Sequence, residues 1–106
     1  MANAKQELNK ILDKFDLKSK FKNAVVEGRN KYDRDYLYLN KKEFDDLDKL
    51  LDYLDFEYNE GYGGQELYGI VVFVDGSWLE RGEYDGAEWW EYKKTPSVKN
   101  WTANKY

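Results

Sequence analysis

The sequence predicts an α+β domain in which two helices pack on an antiparallel sheet with a three-stranded C-terminal meander. Three observations predict it. Leu8, Ile11, Leu12 and Phe15 recur at helical spacing, and so do Phe44, Leu47, Leu50, Leu51 and Leu54. Three strand-like runs then follow one another: Leu67 to Val74, Ser77 to Tyr84 and Ala87 to Lys93. Asp75-Gly76 and Asp85-Gly86 join them, and Asp-Gly signals a hairpin because both central residues of a type I′ turn need positive φ.

Each element has its own local reason. Ala4 to Phe15 reads as an amphipathic helix with Lys5, Lys10 and Lys14 on its outer face. Ala24 to Glu27 and Tyr36 to Leu39 read as extended, with Gly28-Arg29-Asn30 and Asp33 as turn residues between them. Phe21 to Val26 also admits a short helix. The second helix starts at Asn40, whose Glu43 partner three residues on makes a variant capping box. Asp45, Asp48, Asp52 and Asp55 fall on a separate face of that helix, where like charges three and four apart work against it. Gly61-Tyr62-Gly63-Gly64 breaks the chain before the meander, and Pro96 ends its last strand.

If both meander turns have two residues, the register follows by counting. Val74 then faces Ser77, Val72 faces Leu79 and Arg81 faces Trp90. On the opposite face Phe73 lies beside Trp78 and Gly82 lies under Trp89. Two acidic pairs result, Glu80 opposite Glu91 and Glu83 opposite Glu88, with Arg81 on the face of the second pair. Leu67, Val71, Phe73 and Trp78 on one face, or Ile70, Val72, Val74, Leu79 and Trp90 on the other, would cover the core. The remaining rings would face outward.

Length and composition bound the function. A chain of 106 residues has room for one core, and 4 Trp, 10 Tyr and 5 Phe mark it as folded rather than disordered. We read one domain, 1–106: a basic helix and linker over 1–34, an acidic helix region over 35–60, the meander over 61–95 and a basic tail over 96–106 with Trp101 and Tyr106. No apolar run is long enough to span a membrane, and Met1 to Lys10 has no signal-peptide core. The expected location is the cytoplasm of a bacterial host. The chain has no Cys and no His, which removes thiolate chemistry, the commonest general base and the commonest transition-metal ligand. No cofactor is expected. Lys far outnumbers Arg, as an AT-rich bacterial or phage genome would encode.

Charge is segregated. Residues 1–34 hold nine Lys/Arg against five Asp/Glu, residues 35–91 hold four against sixteen, and the tail adds four Lys and no acid. So acidic a centre repels nucleic acid and attracts basic protein surfaces.

The acids admit several readings. The Glu80–Glu91 or Glu83–Glu88 pair resembles a catalytic carboxylate dyad, but a flat three-stranded sheet offers no deep cleft. Asp45-Asp46-x-Asp48 lacks the glycine and terminal Glu of a calcium loop. The acids also serve as a solvated face that keeps a ring-rich protein in solution. The sharper reading is a decoy, with carboxylates imitating a phosphate backbone. Exposed rings would favour a protein interface, since the surrounding charge has the wrong sign for a single-stranded nucleic-acid platform.

The stretch Trp78-Leu79-Glu80-Arg81-Gly82-Glu83-Tyr84-Asp85-Gly86-Ala87-Glu88-Trp89-Trp90-Glu91-Tyr92 resembles a hairpin of small, mostly uncharacterised bacteriophage proteins. The resemblance implies context rather than catalytic residues: small acidic phage proteins include anti-restriction and anti-CRISPR inhibitors, some of them DNA mimics. The expectation is therefore a non-enzymatic inhibitor of a basic host protein that handles nucleic acid or serves defence. Asp45, Asp48, Asp52, Asp55, Glu80, Glu83, Glu88 and Glu91 would make its contacts, with Trp89 or Trp90, whichever faces out, as anchor. The alternative is a small enzyme or carbohydrate-binding module using the Glu/Trp sheet face.

Overall fold

The computed structural model describes residues 2–29, 38–58, 67–85 and 87–95. The α+β class holds. Strand β1 (Ala2–Asn3) leads into helix α1 (Ala4–Lys14), and a 3-10 turn over Lys18–Lys20 leads into β2 (Phe21–Arg29). Then come β3 (Tyr38–Phe44), helix α2 (Leu47–Tyr53), β4 (Glu57–Tyr58), β5 (Leu67–Phe73), β6 (Trp78–Tyr84) and β7 (Ala87–Lys93). The main sheet is antiparallel with strand order β3-β2-β5-β6-β7, and β1 and β4 form a separate two-stranded ladder.

Helix α1 is closed at both ends by local chemistry. The Asn3 side chain accepts from the Gln6 N–H at 3.0 Å, satisfying one of the orphan donors of the first turn. At the other end Asp16 adopts φ +54. The Leu17 N–H then reaches the Leu12 carbonyl and the Asp16 N–H the Asp13 carbonyl, the pattern of a Schellman cap. Ala4, Leu8, Leu12 and Leu17 are buried. Phe15, expected in the core stripe, is instead partly exposed and stacks on Tyr92 of β7 at 4.4 Å.

Helix α2 starts six residues later than its capping signal. Asn40 lies inside β3, and Asp46 is the true cap, accepting from the Lys49 N–H at 3.1 Å. Pairing wins here: Phe44 lies opposite Ala24 and Glu43 opposite Val25, so the strand takes residues that an isolated chain could place in a helix. Phe44, Leu50, Leu51 and Leu54 still reach the core, Phe44 from the strand and Leu54 from the helix C-cap. The strand expected at Ala24 to Glu27 is the centre of β2, and the one expected at the Tyr36 to Leu39 region extends the sheet as β3. Tyr36, Asn30, Asp33, Gly61 to Gly64, Gly86, Pro96, Trp101 and Tyr106 lie outside the described residues.

The first meander turn corrects the counted register. Its loop has three residues rather than two: Phe73 N–H bonds the Ser77 carbonyl and Gly76 N–H bonds the Phe73 carbonyl, with Gly76 at φ +86. This is a type I turn closed by a left-handed glycine. Asp75 accepts from both the Ser77 N–H and its hydroxyl. Val71 therefore faces Leu79 and Val72 faces Trp78. One residue of slip moves every side chain of β5 to the other face, so the core is a mixture of the two expected sets: Leu67, Val71, Phe73, Leu79 and Trp90. The second turn keeps two residues, with Asp85 at φ +52, and its expected pairs stand: Arg81–Trp90, Gly82–Trp89, Glu80–Glu91 and Glu83–Glu88.

Two tests follow from this geometry. Gly76→Ala forces a side chain into the left-handed region and should cost about 1–2 kcal/mol in denaturant unfolding; an unchanged midpoint would contradict the three-residue loop. Hydrogen bonds from Ser77, reinforced by Lys20, hold the Asp75 carboxyl below the usual carboxylate range. A depressed folded pKa stabilises above the unfolded value of about 3.9 and loses that contribution on further acidification. Wild type should therefore melt higher than Asp75→Asn at neutral pH, and the two melting curves should converge below roughly pH 4.

Candidate functional site

The acidic and aromatic residues sort into three groups by the cations they meet. The first is buried. Arg81 and Glu88 project from neighbouring strands to the helix-covered face, where their side chains are 1% and 0% exposed. Arg81 Nη2 donates to Glu88 Oε1 at 2.6 Å and to the Tyr58 hydroxyl at 3.0 Å, while its Nε reaches the Leu67 carbonyl at 3.4 Å. Glu88 Oε1 also accepts from the Leu67 N–H. The Tyr58 hydroxyl donates to Glu7 of α1, and Arg81 Nη1 lies 3.8 Å from the same carboxylate. Burial, followed by the bond to Glu7, pushes the Tyr58 phenol well above its ordinary range. The guanidinium also rests over the rings of Trp90 and Tyr58, at 5.0 and 5.6 Å, a cation–π contact strengthened by desolvation.

Glu88 is therefore a correction to the expected contact set, and of the two alternative anchors Trp89 is the one that faces out. Trp90 is 7% exposed and Glu88 is enclosed, because the second turn puts them on the face that α1 covers. Both side chains are shielded from solvent. Glu83, opposite Glu88, is exposed.

The second group lies on the other face of the sheet. Glu80 and Glu91 sit directly opposite each other, an arrangement that destabilises a sheet unless something intervenes. Lys93 intervenes, with Nζ 2.7 Å from Glu80 and 3.6 Å from Glu91. The indole N–H groups of Trp78 and Trp89 donate to Glu80 and Glu91 respectively. The Lys93 contact, then the Trp78 bond, holds the Glu80 carboxyl below the usual range. That is the opposite of the raised value a general acid needs. Trp89 is the outward ring, lying over Gly82 so closely that a Cβ there would come within 2.8 Å of the indole. Tyr68, Ile70 and Trp89 give this face partly exposed apolar surface.

The third group surrounds α2. Asp48 and Asp52 are on the helix, Asp45 precedes its cap and Asp55 follows its end; all four are exposed. Asp55 accepts from the Asn3 side chain. Among the described residues Asp45, Asp48 and Asp52 meet no cation within ion-pair distance. An open hollow of about 600 Å³ lies beside them, lined by Lys42, Phe44, Asp45, Asp52 and Tyr53 among others. Lys42 sits over the Phe44 and Tyr53 rings there. Since α2 packs on the covered face and Glu80 and Glu91 lie on the other, the helix acids and sheet acids do not form one surface.

Among the described residues no three acids converge to hold a metal ion, and no helix is long and apolar enough to cross a membrane. Glu7, Tyr58 and Lys93 were absent from the sequence-derived set. Lys93 was within reach of that reading, since the counted register of β6 and β7 places it beside the Glu80–Glu91 row. No family model matches the chain, and no curated protein and no solved structure matches it.

Lys93→Met should lower the melting temperature by exposing the Glu80–Glu91 repulsion, and adding Glu80→Gln should recover most of the loss. Equal melting of wild type and Lys93→Met would show that the opposed acids need no bridge.

Proposed function

We propose that this chain acts by binding rather than catalysis, as a stoichiometric inhibitor docking its α2 acids on a basic host protein. The partner class is a protein that handles nucleic acid or serves defence. One observation carries the reading. Glu7, Glu88, Glu80 and Glu91 are matched by Arg81 and Lys93, whereas Asp45, Asp48 and Asp52 stand exposed without a cation among the described residues. A free carboxylate row of that kind raises the encounter rate with a basic surface. Asp48 and Asp52 are separated by about 6 Å along the helix axis, one turn apart on the same side of α2. The seven-residue helix limits the row to a short segment, with Asp45 and Asp55 flanking it.

A second reading rests on the open sheet face. Trp89 lies close over Gly82 with Tyr68 and Ile70 also on that face, rings of the kind on which sugars stack.

The two readings separate by mutation. Asp45→Asn, Asp48→Asn and Asp52→Asn together should abolish capture of the partner from bacterial lysate while leaving the fold intact by circular dichroism. Capture by wild type should fall steeply as salt is raised. Trp89→Ala should leave it unchanged. Loss of capture with Trp89→Ala, together with insensitivity to the three Asp changes, would overturn the acidic-inhibitor reading in favour of the platform.

A further inference from the structure

On the sheet face turned away from the helices, Trp78 and Trp89 stand at the two ends of a row along β6 and β7. Glu80 and Glu91 lie opposite each other between them, and Lys93 lies opposite Trp78. We propose that this row binds a short neutral oligosaccharide lying along the strands, with one sugar ring on each indole and the hydroxyls between them on Glu80, Glu91 and Lys93. The proposal rests on the second reading above, that the outward rings form a binding surface, and it uses none of the α2 acids.

The first argument is spacing. Trp89 lies opposite Gly82, four residues along β6 from Trp78, so the two rings start about 13 Å apart along the strand direction. Each indole N–H donates to the carboxylate two residues on, Trp78 to Glu80 at 3.2 Å and Trp89 to Glu91 at 3.1 Å. Because the strands are antiparallel, the two indoles lean toward the shared Glu80–Glu91 pair from opposite ends. A single sugar ring covers one indole, whereas a short chain of them covers both.

The second argument is the supply of hydrogen bonds. The side chains of Glu80, Glu91 and Lys93 are 39%, 40% and 44% exposed, so this cluster is open to a ligand where the Arg81–Glu88 pair is closed. Among the described residues Glu80 Oε2 accepts no hydrogen bond, and Glu91 Oε2 meets only Lys93, 3.6 Å away. Acceptors and an ammonium donor therefore stand side by side, and a sugar hydroxyl both donates and accepts. With two carboxylates to one ammonium, the row opposes an anionic ligand.

The third argument is the flank. On β5, Ile70 lies beside Glu80 and Val72 beside Trp78, and Ile70 is partly exposed. Apolar surface next to a few placed polar groups suits a ligand with C–H faces and hydroxyl edges.

The test is a titration of the ¹⁵N-labelled full chain with cellotriose, maltotriose and tri-N-acetylchitotriose, following the assigned indole N–H resonances by NMR. At least one trisaccharide should shift the Trp78 and Trp89 resonances together, saturably and with one dissociation constant. Trp78→Ala and Glu91→Gln should each weaken that binding by about tenfold while circular dichroism stays unchanged. The triple change of Asp45, Asp48 and Asp52 to Asn should leave it as in wild type. Methyl glucoside binding as tightly as any trisaccharide, with one indole shifted alone, would overturn the spanning site and leave the ring surface standing. Indole resonances unmoved by all three trisaccharides at millimolar concentration would overturn both. A saturable shift with hexalysine and with no sugar would also overturn the proposal, by making a basic peptide the occupant.

Discussion

The buried guanidinium of Arg81 is the constraint on which the rest of the structure depends. Moving an ammonium- or guanidinium-sized ion out of water costs several kcal/mol even after relaxation. That cost is offset only where carboxylates and carbonyls converge on the ion. Here Glu88 comes from β7, the Leu67 carbonyl from β5, the Tyr58 hydroxyl from β4 and the Glu7 carboxylate from α1. Five elements distant in sequence must therefore be in place together. The short β1–β4 ladder and the bond from the Ala4 N–H to the Phe56 carbonyl fix the start of α1 so that Glu7 meets Tyr58. Without the cluster, α1 would have only Leu8, Leu12 and their neighbours to set its position across the sheet.

The same cluster divides the protein's charges. In a chain of 21 acids, Glu7 and Glu88 serve Arg81 while Glu80 and Glu91 serve Lys93. The exposed remainder concentrates around α2, at the opposite edge of the sheet from β7. The exposed carboxylates thus lie at that end, and the partly exposed rings Trp89 and Tyr68 lie on the outward sheet face. These regions are held by different interactions, so each can be altered without unfolding the others.

Much of this was legible in the residues. The helical stripe of α1 and the turn residues Asp85-Gly86 act locally, and both elements formed where their patterns placed them. The Asp85-Gly86 turn also put Arg81 on the same face as Glu88, so half of the central ion pair could be read by counting. What could not be read depended on distant chain. Asn40 and Asp46 are both good caps, and only the pairing of β3 with β2 chooses between them. Asp75-Gly76 suits a two-residue turn or a three-residue loop closed by Gly76, and the choice reverses which face of β5 is buried. Tyr58 and Glu7 carry no local signal at all, since they acquire their roles only when α1 crosses the sheet.

The most direct test of the account is a double-mutant cycle between Arg81 and Glu88, using Arg81→Met, Glu88→Gln and the pair, with unfolding free energies from denaturant titration. Each single change should cost about 3–5 kcal/mol, because it strands a buried charge. The double variant should cost less than the sum by roughly 1–3 kcal/mol. Small, additive effects would mean that both side chains lie in water. The covered face of the sheet, the burial of Trp90 and the division of the acids would then all be wrong.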